Sequence, residues 1–481
     1  MGASKFKILL ADPPQIAGGY DLAYPNLGIL YLVGYAKKLI SKGILPDIFE
    51  FYYLEGFCDL EGHIKRIKEI NPDLYGLSFV SLLREGAFKT IRALKREMPN
   101  LPILCGGVHP TLNYEEVLRD SPADFCAVGE GEITFTSFLE AFAKRKEDRF
   151  SIPGIAFKNN GEIVFSEKRD FVKNLDDISF PDWGLVDFSK YRGNLYRKKS
   201  PSTAILASRG CPWNCVFCSN PVWRSGYPRV RLRSPQKIVE EIEMLYNRGI
   251  REIYIRSDEL NADYKWCLSL MNELEKIKRN DLFFQCNLFL HNIDDNLAKA
   301  ISLANFWLVH LGIESINQRV LDGIGKYTTV PKMYDILKAL KKYSIKIYGF
   351  FMMYQLWEED GLLRIETSEE VENTLRTAKI WYKEGLLDYI SWQIASPYPG
   401  SKLYDIAIKH KIFRSELQVK NPWTVQMEIP GVDKKEILRK RLKGMVLQAR
   451  MSAAHGHFGI RSFKNVLRKI KLIIKSVIGL N

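Results

Sequence analysis

The stretch Ser208-Arg-Gly-Cys-Pro-Trp-Asn-Cys-Val-Phe-Cys218 places three cysteines within eight positions, in the spacing C-x3-C-x2-C. Thiolates are soft ligands that select zinc or iron–sulfur clusters. The local set stops at three, because the next cysteine is Cys267 and the next histidine is His291. Three ligands leave one position on a metal centre open, and an open position is where substrate chemistry occurs. The candidate metal ligands are Cys211, Cys215 and Cys218.

The flanking residues predict a shaped loop after a strand. Ala204–Ala207 is a short apolar run typical of a buried strand, and Gly210 and Pro212 surround the first cysteine. Two alternatives stay open at this level. The cysteines are buried as small apolar groups, or they belong to a zinc site that a distant residue completes.

With Ser-Arg-Gly before the first cysteine and Phe217 before the third, the stretch resembles the cluster loop of the radical S-adenosylmethionine superfamily. The resemblance implies a 4Fe-4S cluster on the three thiolates. It also implies S-adenosylmethionine on the fourth iron, cleaved by reduction to a 5′-deoxyadenosyl radical. Phe217 is then expected to contact the cofactor, and an external electron donor of the flavodoxin or ferredoxin type is required.

Composition and charge indicate a protein of two or three domains without a nucleic-acid partner. The chain has 481 residues, 46% of them apolar, which suits two or three domains with sizeable cores. Of the net charge of +14, residues 434–481 carry +12, from thirteen Lys or Arg and one acid. The body is therefore near neutral, which argues against a nucleic-acid partner. No signal peptide or membrane span is apparent, so we expect a cytoplasmic protein in a reducing compartment.

Residues 1–145 alternate between strand-like and helix-like segments. Strands are expected at 6–11, 47–53, 74–80, 102–105 and 125–128, with helices at 27–40, 60–70 and 84–98 and a further helix that follows the 129–131 turn and ends at about 144. This alternation predicts a doubly wound parallel sheet, in which ligands bind beyond the carboxyl ends of the strands.

This half resembles the cobalamin-binding domain of the cobalamin-dependent radical subfamily, through Gly-Gly-Val-His-Pro-Thr at 106–111 and Val-Gly-Glu-Gly-Glu at 128–132. The resemblance implies a corrin ring close to the backbone at the small residues. The D-x-H-x-x-G motif that supplies a cobalt ligand is absent, so His109 is either a cobalt or corrin contact or an ordinary loop residue. The glycines expected to contact cobalamin are Gly106, Gly107, Gly129 and Gly131. A second cluster on Cys58, Cys105 and Cys126 is the alternative to their burial in the core.

Residues 146–195 are interpreted as a linker that contains a hairpin with its turn at Asn159-Asn-Gly161. Residues 196–410 show about six βα units, which predict a partial TIM-like (βα)6 barrel with its site at the carboxyl ends of the strands. Polar residues follow two of these strands, and Pro397–Tyr404 matches a further phrase of the subfamily. The resemblance implies cofactor binding by Asp258, Glu259, Gly312, Glu314 and Ser315.

Two segments depart from the family or extend it. The loop Tyr354–Asp360 replaces the family's Gly-Leu-Pro-Gly-Glu turn, and we expect it to face the substrate.

Residues 411–481 are expected to form a helical extension. Within it, 461–478 has an apolar face opposite a cationic face, which indicates either an interfacial helix on anionic lipid or a helix packed on the barrel.

The resulting hypothesis is a cobalamin-dependent radical S-adenosylmethionine methyltransferase that acts on an unactivated carbon of a small molecule, with a lipid or isoprenoid as one option. An oxidative cyclase or carbon–carbon coupling enzyme is the first alternative. A non-catalytic metal-binding protein at the membrane is the second.

Overall fold

A computed structural model describes residues 5–14, 23–144, 151–191, 193, 196–220, 228–277, 279–413 and 425–455. The chain divides into two compact units. The first draws mainly on the chain before residue 195 and the second mainly on the chain after residue 233. The amphipathic segment 461–478 lies outside the described residues.

The first unit contains a seven-stranded sheet. Its strands are β1 (Phe6–Ala11), β2 (Phe49–Leu54), β3 (Leu74–Ser78), β4 (Ile103–Gly106), β5 (Phe125–Ala127), β6 (Ile155–Asn159) and β7 (Glu162–Phe165). Their order is β2-β1-β3-β4-β5-β6-β7, and β1 to β5 run parallel. The doubly wound parallel sheet is therefore confirmed.

The hairpin β6–β7 extends this sheet, because β6 pairs antiparallel with β5. Its turn places Asn160 and Gly161 at φ of 49° and 88°, the left-handed conformation that tight hairpin turns need. The first part of the segment interpreted as a linker thus belongs to the N-terminal sheet.

Five helices cover both faces of the first sheet. They are α1 (Leu27–Ser41), α2 (Leu60–Ile70), α3 (Arg84–Glu97), α4 (Val108–Asp120) and α5 (Gly131–Ala143). Neighbouring residues of β1 separate the two cores. Leu9 packs with residues of α2, α3 and α4, and Leu10 packs with residues of α1 and α5. The alternation follows from the period of two in a strand.

The interpretation of His109 as a loop residue is wrong. His109 lies in the first turn of α4, which begins directly after the Gly106-Gly107 pair, and it is only 2% exposed. Cys105 and Cys126 are buried in the core of the same unit, and Cys58 Sγ lies 3.8 Å from His63 Nδ1. Among the described residues no group of three or more His, Cys, Asp or Glu side chains converges to hold a metal ion.

The second unit is built on a six-stranded sheet with the order β17-β14-β13-β12-β11-β8. From β11 to β17 the neighbouring strands pair in parallel. The strands of this part of the chain are β8 (Ser202–Leu206), β9 (Ser208–Arg209), β10 (Arg231–Leu232), β11 (Glu252–Arg256), β12 (Phe283–Leu288), β13 (Phe306–Glu314), β14 (Lys346–Met353), β15 (Leu356–Glu359), β16 (Leu362–Ile365) and β17 (Tyr389–Ile394). The predicted partial barrel of six strands is confirmed.

Helices alternate with these strands. They are α6 (Pro235–Asn247), α7 (Tyr264–Lys276), α8 (Asp295–Leu303), α9 (Gln318–Gly323), α10 (Val330–Lys342), α11 (Ser368–Lys383), α12 (Lys402–Lys409) and α13 (Lys434–Ala454). Most begin at a capping side chain, such as Ser234 before α6 and Thr367 before α11, which satisfies an otherwise free backbone N–H. The described part of the C-terminal extension contains the helix α13, and residues 425–433 before it are not helical.

The segment Tyr354–Asp360 is a hairpin strand rather than an open loop. Strands β15 and β16 pair antiparallel, and Leu356 and Trp357 are buried. Trp357 packs on Gly323 at the end of α9. The expectation that this segment faces the substrate is therefore not met at these two side chains, which fill the core instead.

Candidate active site

The cysteine loop is held in place by backbone hydrogen bonds to two other segments. Val216 donates to the carbonyl of Ile324 (2.9 Å), and Leu403 donates to the carbonyl of Val216 (2.8 Å). The Sγ of Cys215 lies 3.5 Å from the carbonyl oxygen of Gly325. The loop itself begins at Gly210, whose φ of 89° is strained for other residues. Distant parts of the barrel thus fix the positions of the thiols.

The three thiols line one cavity of about 200 Å³. The cavity is mixed in character, with thiols, carboxylates, one ammonium and several aromatic rings. Its walls are Cys211, Trp213, Cys215, Phe217, Cys218, Asn220, Asp258, Glu259, Asn287, Leu288, Phe289, His310, Gly312, Glu314, Lys326 and Phe350. Eight of the nine predicted site residues of this unit therefore line one cavity, and Ser315 is the exception.

The thiols suit a cluster better than a single ion. Burial raises the pKa of Cys211 to about 12 and that of Cys215 to about 11, and the ammonium of Lys326 opposes the shift at Cys215. Neutral thiols bind metal with release of their protons. In the described part of the chain no three ligands converge on one point, as a zinc ion requires. A four-iron cluster takes one cysteine at each of its corners, which suits three thiols that line one cavity.

Glu259 lies three residues after β11, and Glu314 is the last residue of β13; β12 lies between these two strands in the sheet. Burial raises the pKa of Glu259 to about 8, with Lys326 opposing and Asp258 and Glu314 adding to the shift. One carboxylate oxygen of Glu259, Oε2, is buried and has no hydrogen-bond partner among the described residues. Burial also raises the pKa of Glu314, which sits at a φ of 63°. Buried carboxyls without full partners are unfavourable unless a ligand supplies them.

Lys326 also lines the cavity, although it was not among the predicted site residues. It is 4% exposed, and its Nζ lies 3.4 Å from Glu314 Oε1 and 5.0 Å from the ring centre of Phe289. Gly312 makes room for this pair. A Cβ there would lie 2.5 Å from Glu314 Oε1 and 2.8 Å from Lys326 Nζ. In the sequence, Lys326 was marked only by its position after Gly325. That position does not predict that the lysine side chain is buried.

Ser315 points away from the cavity. Its hydroxyl is fully buried and donates to Glu366 Oε1 at 2.9 Å. Burial raises the pKa of Glu366 to about 8. The strand shifts register between Gly312 and Glu314, which turns the following residue toward this second polar cluster. Ser315 therefore supports the strand end instead of lining the cavity.

The strand ends of the first unit offer two open glycines. A Cβ on Gly106 or Gly129 would meet no atom within 4 Å, whereas one on Gly107 would meet the Phe79 backbone at 2.9 Å and one on Gly131 the Leu32 side chain at 2.8 Å. Gly107 and Gly131 are therefore needed for packing. Gly106 and Gly129 leave the backbone accessible, as a flat ligand requires.

The imidazole of His109, near these strand ends, is buried inside the first unit. His109 Nδ1 lies 3.0 Å from Ser81 Oγ, and Nε2 lies 3.3 Å from a Glu116 oxygen. At the end of β1, Tyr53 donates to Asp12 at 2.6 Å. Burial raises the pKa of Asp12 to about 6. His109 is thus engaged in the core, which does not suit a cobalt ligand.

Two family models match the chain. The model described as radical SAM superfamily matches residues 205–360, and the B12 binding domain matches residues 19–139. The matched ranges contain the three cysteines and the glycine-bearing strand ends, respectively. Among the described residues no helix is long and apolar enough to cross a membrane.

Curated relatives span most of the chain. The chain is 32% identical over 353 residues to the anaerobic magnesium-protoporphyrin IX monomethyl ester cyclase of Synechocystis sp., covering 70% of this chain and 67% of the relative. It is 29% identical over 411 residues to the Pyrococcus horikoshii protein named uncharacterized methyltransferase PH0819, covering 84% of each.

Solved structures share the fold. The cobalamin-dependent S-adenosylmethionine radical enzyme OxsB, with aqua-cobalamin and S-adenosylmethionine bound, has a TM-score of 0.70 at 17% identity and covers 97% of this chain and 71% of its own. The methyltransferase TsrM of Kitasatospora setae, with cobalamin and a [4Fe-4S] cluster bound, has a TM-score of 0.66 at 16% identity and covers 91% and 85%.

Proposed function

The chain belongs to the radical S-adenosylmethionine superfamily, in the branch that carries a cobalamin-binding domain, and on that premise we propose that it is a cobalamin-dependent methyltransferase for an unactivated carbon of a small molecule. The observation that carries the proposal is the single cavity shared by three cysteine thiols and two strand-end glutamates. When bound, the cluster supplies the electron that cleaves S-adenosylmethionine, and cobalamin carries the methyl group.

The residues of the cavity divide into ligands and positioning groups. Cys211, Cys215 and Cys218 would hold the cluster. Glu259, with a buried oxygen that lacks a partner, would accept from the amino group of S-adenosylmethionine, with Asp258 beside it. Glu314 would accept from a ribose hydroxyl or the amino group, oriented by Lys326.

Phe217 and the stacked pair Trp213 and Phe289 would exclude water from the reacting atoms. The two rings of the pair have centroids 4.4 Å apart at an angle of 16°. Exclusion of water strengthens the electrostatic contacts inside the cavity and protects reactive species from side reactions.

Cobalamin would lie against Gly106 and Gly129, at the carboxyl ends of β4 and β5. Support comes from the open space at both glycines and from the B12-binding match over residues 19–139. Because His109 is buried and already engaged, we propose that cobalt takes no histidine from the described residues.

The second candidate is an oxidative cyclase or a carbon–carbon coupling enzyme. The relative from Synechocystis bears the name of a cyclase, while the relative from Pyrococcus horikoshii bears that of a methyltransferase. Both reactions would use the same cavity. They differ in whether a second molecule of S-adenosylmethionine gives up its methyl group.

The test uses cluster-reconstituted full-length protein with dithionite, S-adenosylmethionine and, in half of the samples, cobalamin. We expect 5′-deoxyadenosine in all samples and S-adenosylhomocysteine only with cobalamin. Cys215→Ala should abolish both products, whereas Cys267→Ala, a buried cysteine of α7 outside the cavity, should retain them. Deoxyadenosine without S-adenosylhomocysteine would favour the cyclase or coupling reaction. Neither product from protein with an intact cluster would favour the non-catalytic metal-binding alternative.

We further propose that the tail contacts membranes and that the substrate is a lipid or isoprenoid. The support is the apolar and cationic faces of 461–478. Full-length protein should co-sediment with phosphatidylserine vesicles more than with phosphatidylcholine vesicles, and a chain that ends at residue 456 should lose the difference. Equal sedimentation of both chains would reject membrane contact by this segment.

A further inference from the structure

His310 occupies the inner face of the barrel and lines the cavity that holds the three thiols. Its ring lies 5.0 Å from that of Tyr254 at an angle of 20°, and 5.2 Å and 5.8 Å from those of Tyr348 and Phe350. The proposed function gives it no role. Its hydrogen-bond partners nevertheless define which of its two nitrogens carries a proton.

The side chain of Gln285, which contacts His310, is fully buried. Its Nε2 lies 2.9 Å from the backbone carbonyl oxygen of Tyr196, an atom that can only accept a hydrogen bond. The same Nε2 donates to the carboxylate of Glu252. Glu252 also accepts from the backbone N–H groups of Lys198 and Lys199, at 2.5 and 2.6 Å. These contacts fix the amide nitrogen of Gln285 on the side away from His310.

The amide oxygen of Gln285 therefore faces His310, 3.0 Å from Nε2. This oxygen can only accept, so Nε2 of His310 carries the proton and donates. Burial lowers the pKa of His310 to about 3, and the charge of Arg256 acts in the same direction. The ring is neutral, and Nδ1 has a free lone pair. Among the described residues, no side chain or backbone group donates a hydrogen bond to Nδ1 of His310.

A lone pair in such a site suits recognition better than proton transfer. An effective general base has a pKa near the working pH, and His310 is far below it. The positive charge of Arg256 nearby disfavours a cationic donor such as an ammonium group. The aromatic rings around His310 favour a planar or apolar frame. A neutral hydroxyl or N–H group on such a frame meets all three conditions.

We propose that Nδ1 of His310 is a specificity-determining acceptor that binds a neutral O–H or N–H donor of a small molecule in the cavity. The inference rests on the proposed function and adds a chemical feature of its substrate. The donor belongs either to a ribose hydroxyl of S-adenosylmethionine or to the second substrate, and the two sources are separable by experiment.

The first measurement is the tautomer of His310, from long-range ¹H–¹⁵N spectra of the full-length, cluster-loaded protein labelled with [¹⁵N]histidine. The His310→Phe variant assigns the signal by its loss. We expect a proton on Nε2 and none on Nδ1 at pH 7. A proton on Nδ1, or a doubly protonated ring, would overturn the proposal. Neither result depends on radical chemistry, so failure of the proposed function would show separately, as absence of 5′-deoxyadenosine.

The second measurement identifies the donor, with S-adenosylmethionine, phenol and indole as probes. A shift of the Nδ1 signal with S-adenosylmethionine, with a dissociation constant about three- to tenfold weaker in His310→Phe, assigns the donor to the ribose. A saturable shift only with phenol or indole assigns it to the second substrate. If none of the three shifts the signal, the acceptor role is rejected. His63→Phe removes a buried histidine of the first unit and should leave the dissociation constant for S-adenosylmethionine unchanged.

Discussion

Substitution of Gly312 by alanine tests whether the buried ion pair orients the cofactor-binding glutamate. The added Cβ would lie 2.5 Å from Glu314 Oε1 and 2.8 Å from Lys326 Nζ, so the two side chains must separate. At an effective dielectric constant of about 20, charges 3.4 Å apart attract by about 4.9 kcal/mol, and those about 5 Å apart by about 3.3 kcal/mol. The lost attraction of about 1.5 kcal/mol corresponds to a roughly tenfold change in an equilibrium constant.

We therefore expect Gly312→Ala to bind S-adenosylmethionine about tenfold more weakly, measured by equilibrium dialysis with cluster-loaded protein. Gly349→Ala is the matched control, because it adds a methyl group to the neighbouring strand against Ile313 and other apolar atoms. It should lower the melting temperature without changing the dissociation constant. Unchanged binding in Gly312→Ala, or equal weakening in both variants, would refute the role given to the Glu314–Lys326 pair.

Three further outcomes concern stability. Arg441→Met should raise the free energy of unfolding by about 1–3 kcal/mol in denaturant titrations. Nε and Nη1 of this buried guanidinium have no hydrogen-bond partner among the described residues, and burial lowers its pKa to about 10. Gly444→Ala should cost about 1–3 kcal/mol by the same assay, since its Cβ would meet Trp392 at 2.7 Å and loosen α13. The pKa of Asp12 rises from 3.8 to about 6 on folding, so protonation of Asp12 stabilises the folded state below pH 4, and this stabilisation is lost as the pH rises through 6. Asp12→Asn should therefore flatten the pH dependence of the melting temperature across this window. An unchanged slope would contradict this role of Asp12.

Regular elements were predictable where one local signal dominated. The strand Phe6–Ala11 and the helix Leu60–Ile70 have the predicted bounds, because an apolar run marks the first and a clear helical period marks the second. Helix α4 was missed because its first turn contains Gly107 at the cap and Pro110, which read locally as loop formers. Proline is tolerated in a first turn, where its missing N–H has no partner to lose.

The site was predictable in its ligands and less so in its supporting groups. Cysteine spacing and strand-end acids are local features, so Cys211, Glu259 and Glu314 could be found from the sequence. The position of Lys326 depends on a chain reversal that brings it back over Glu314, and that of Ser315 on a register shift in β13. Neither event leaves a pattern in the sequence, because both depend on packing between distant segments.

The charges of the cavity indicate which kind of ligand it suits. Three carboxyl groups, Asp258, Glu259 and Glu314, line it together with the ammonium of Lys326. One oxygen of Glu259 has no hydrogen-bond donor in the described chain, and a buried carboxylate is unfavourable without one. A cationic ligand with N–H donors would supply both the charge and the hydrogen bonds. S-adenosylmethionine carries an ammonium and a sulfonium, so the cavity that the cysteines define is electrostatically suited to the cofactor that their cluster requires.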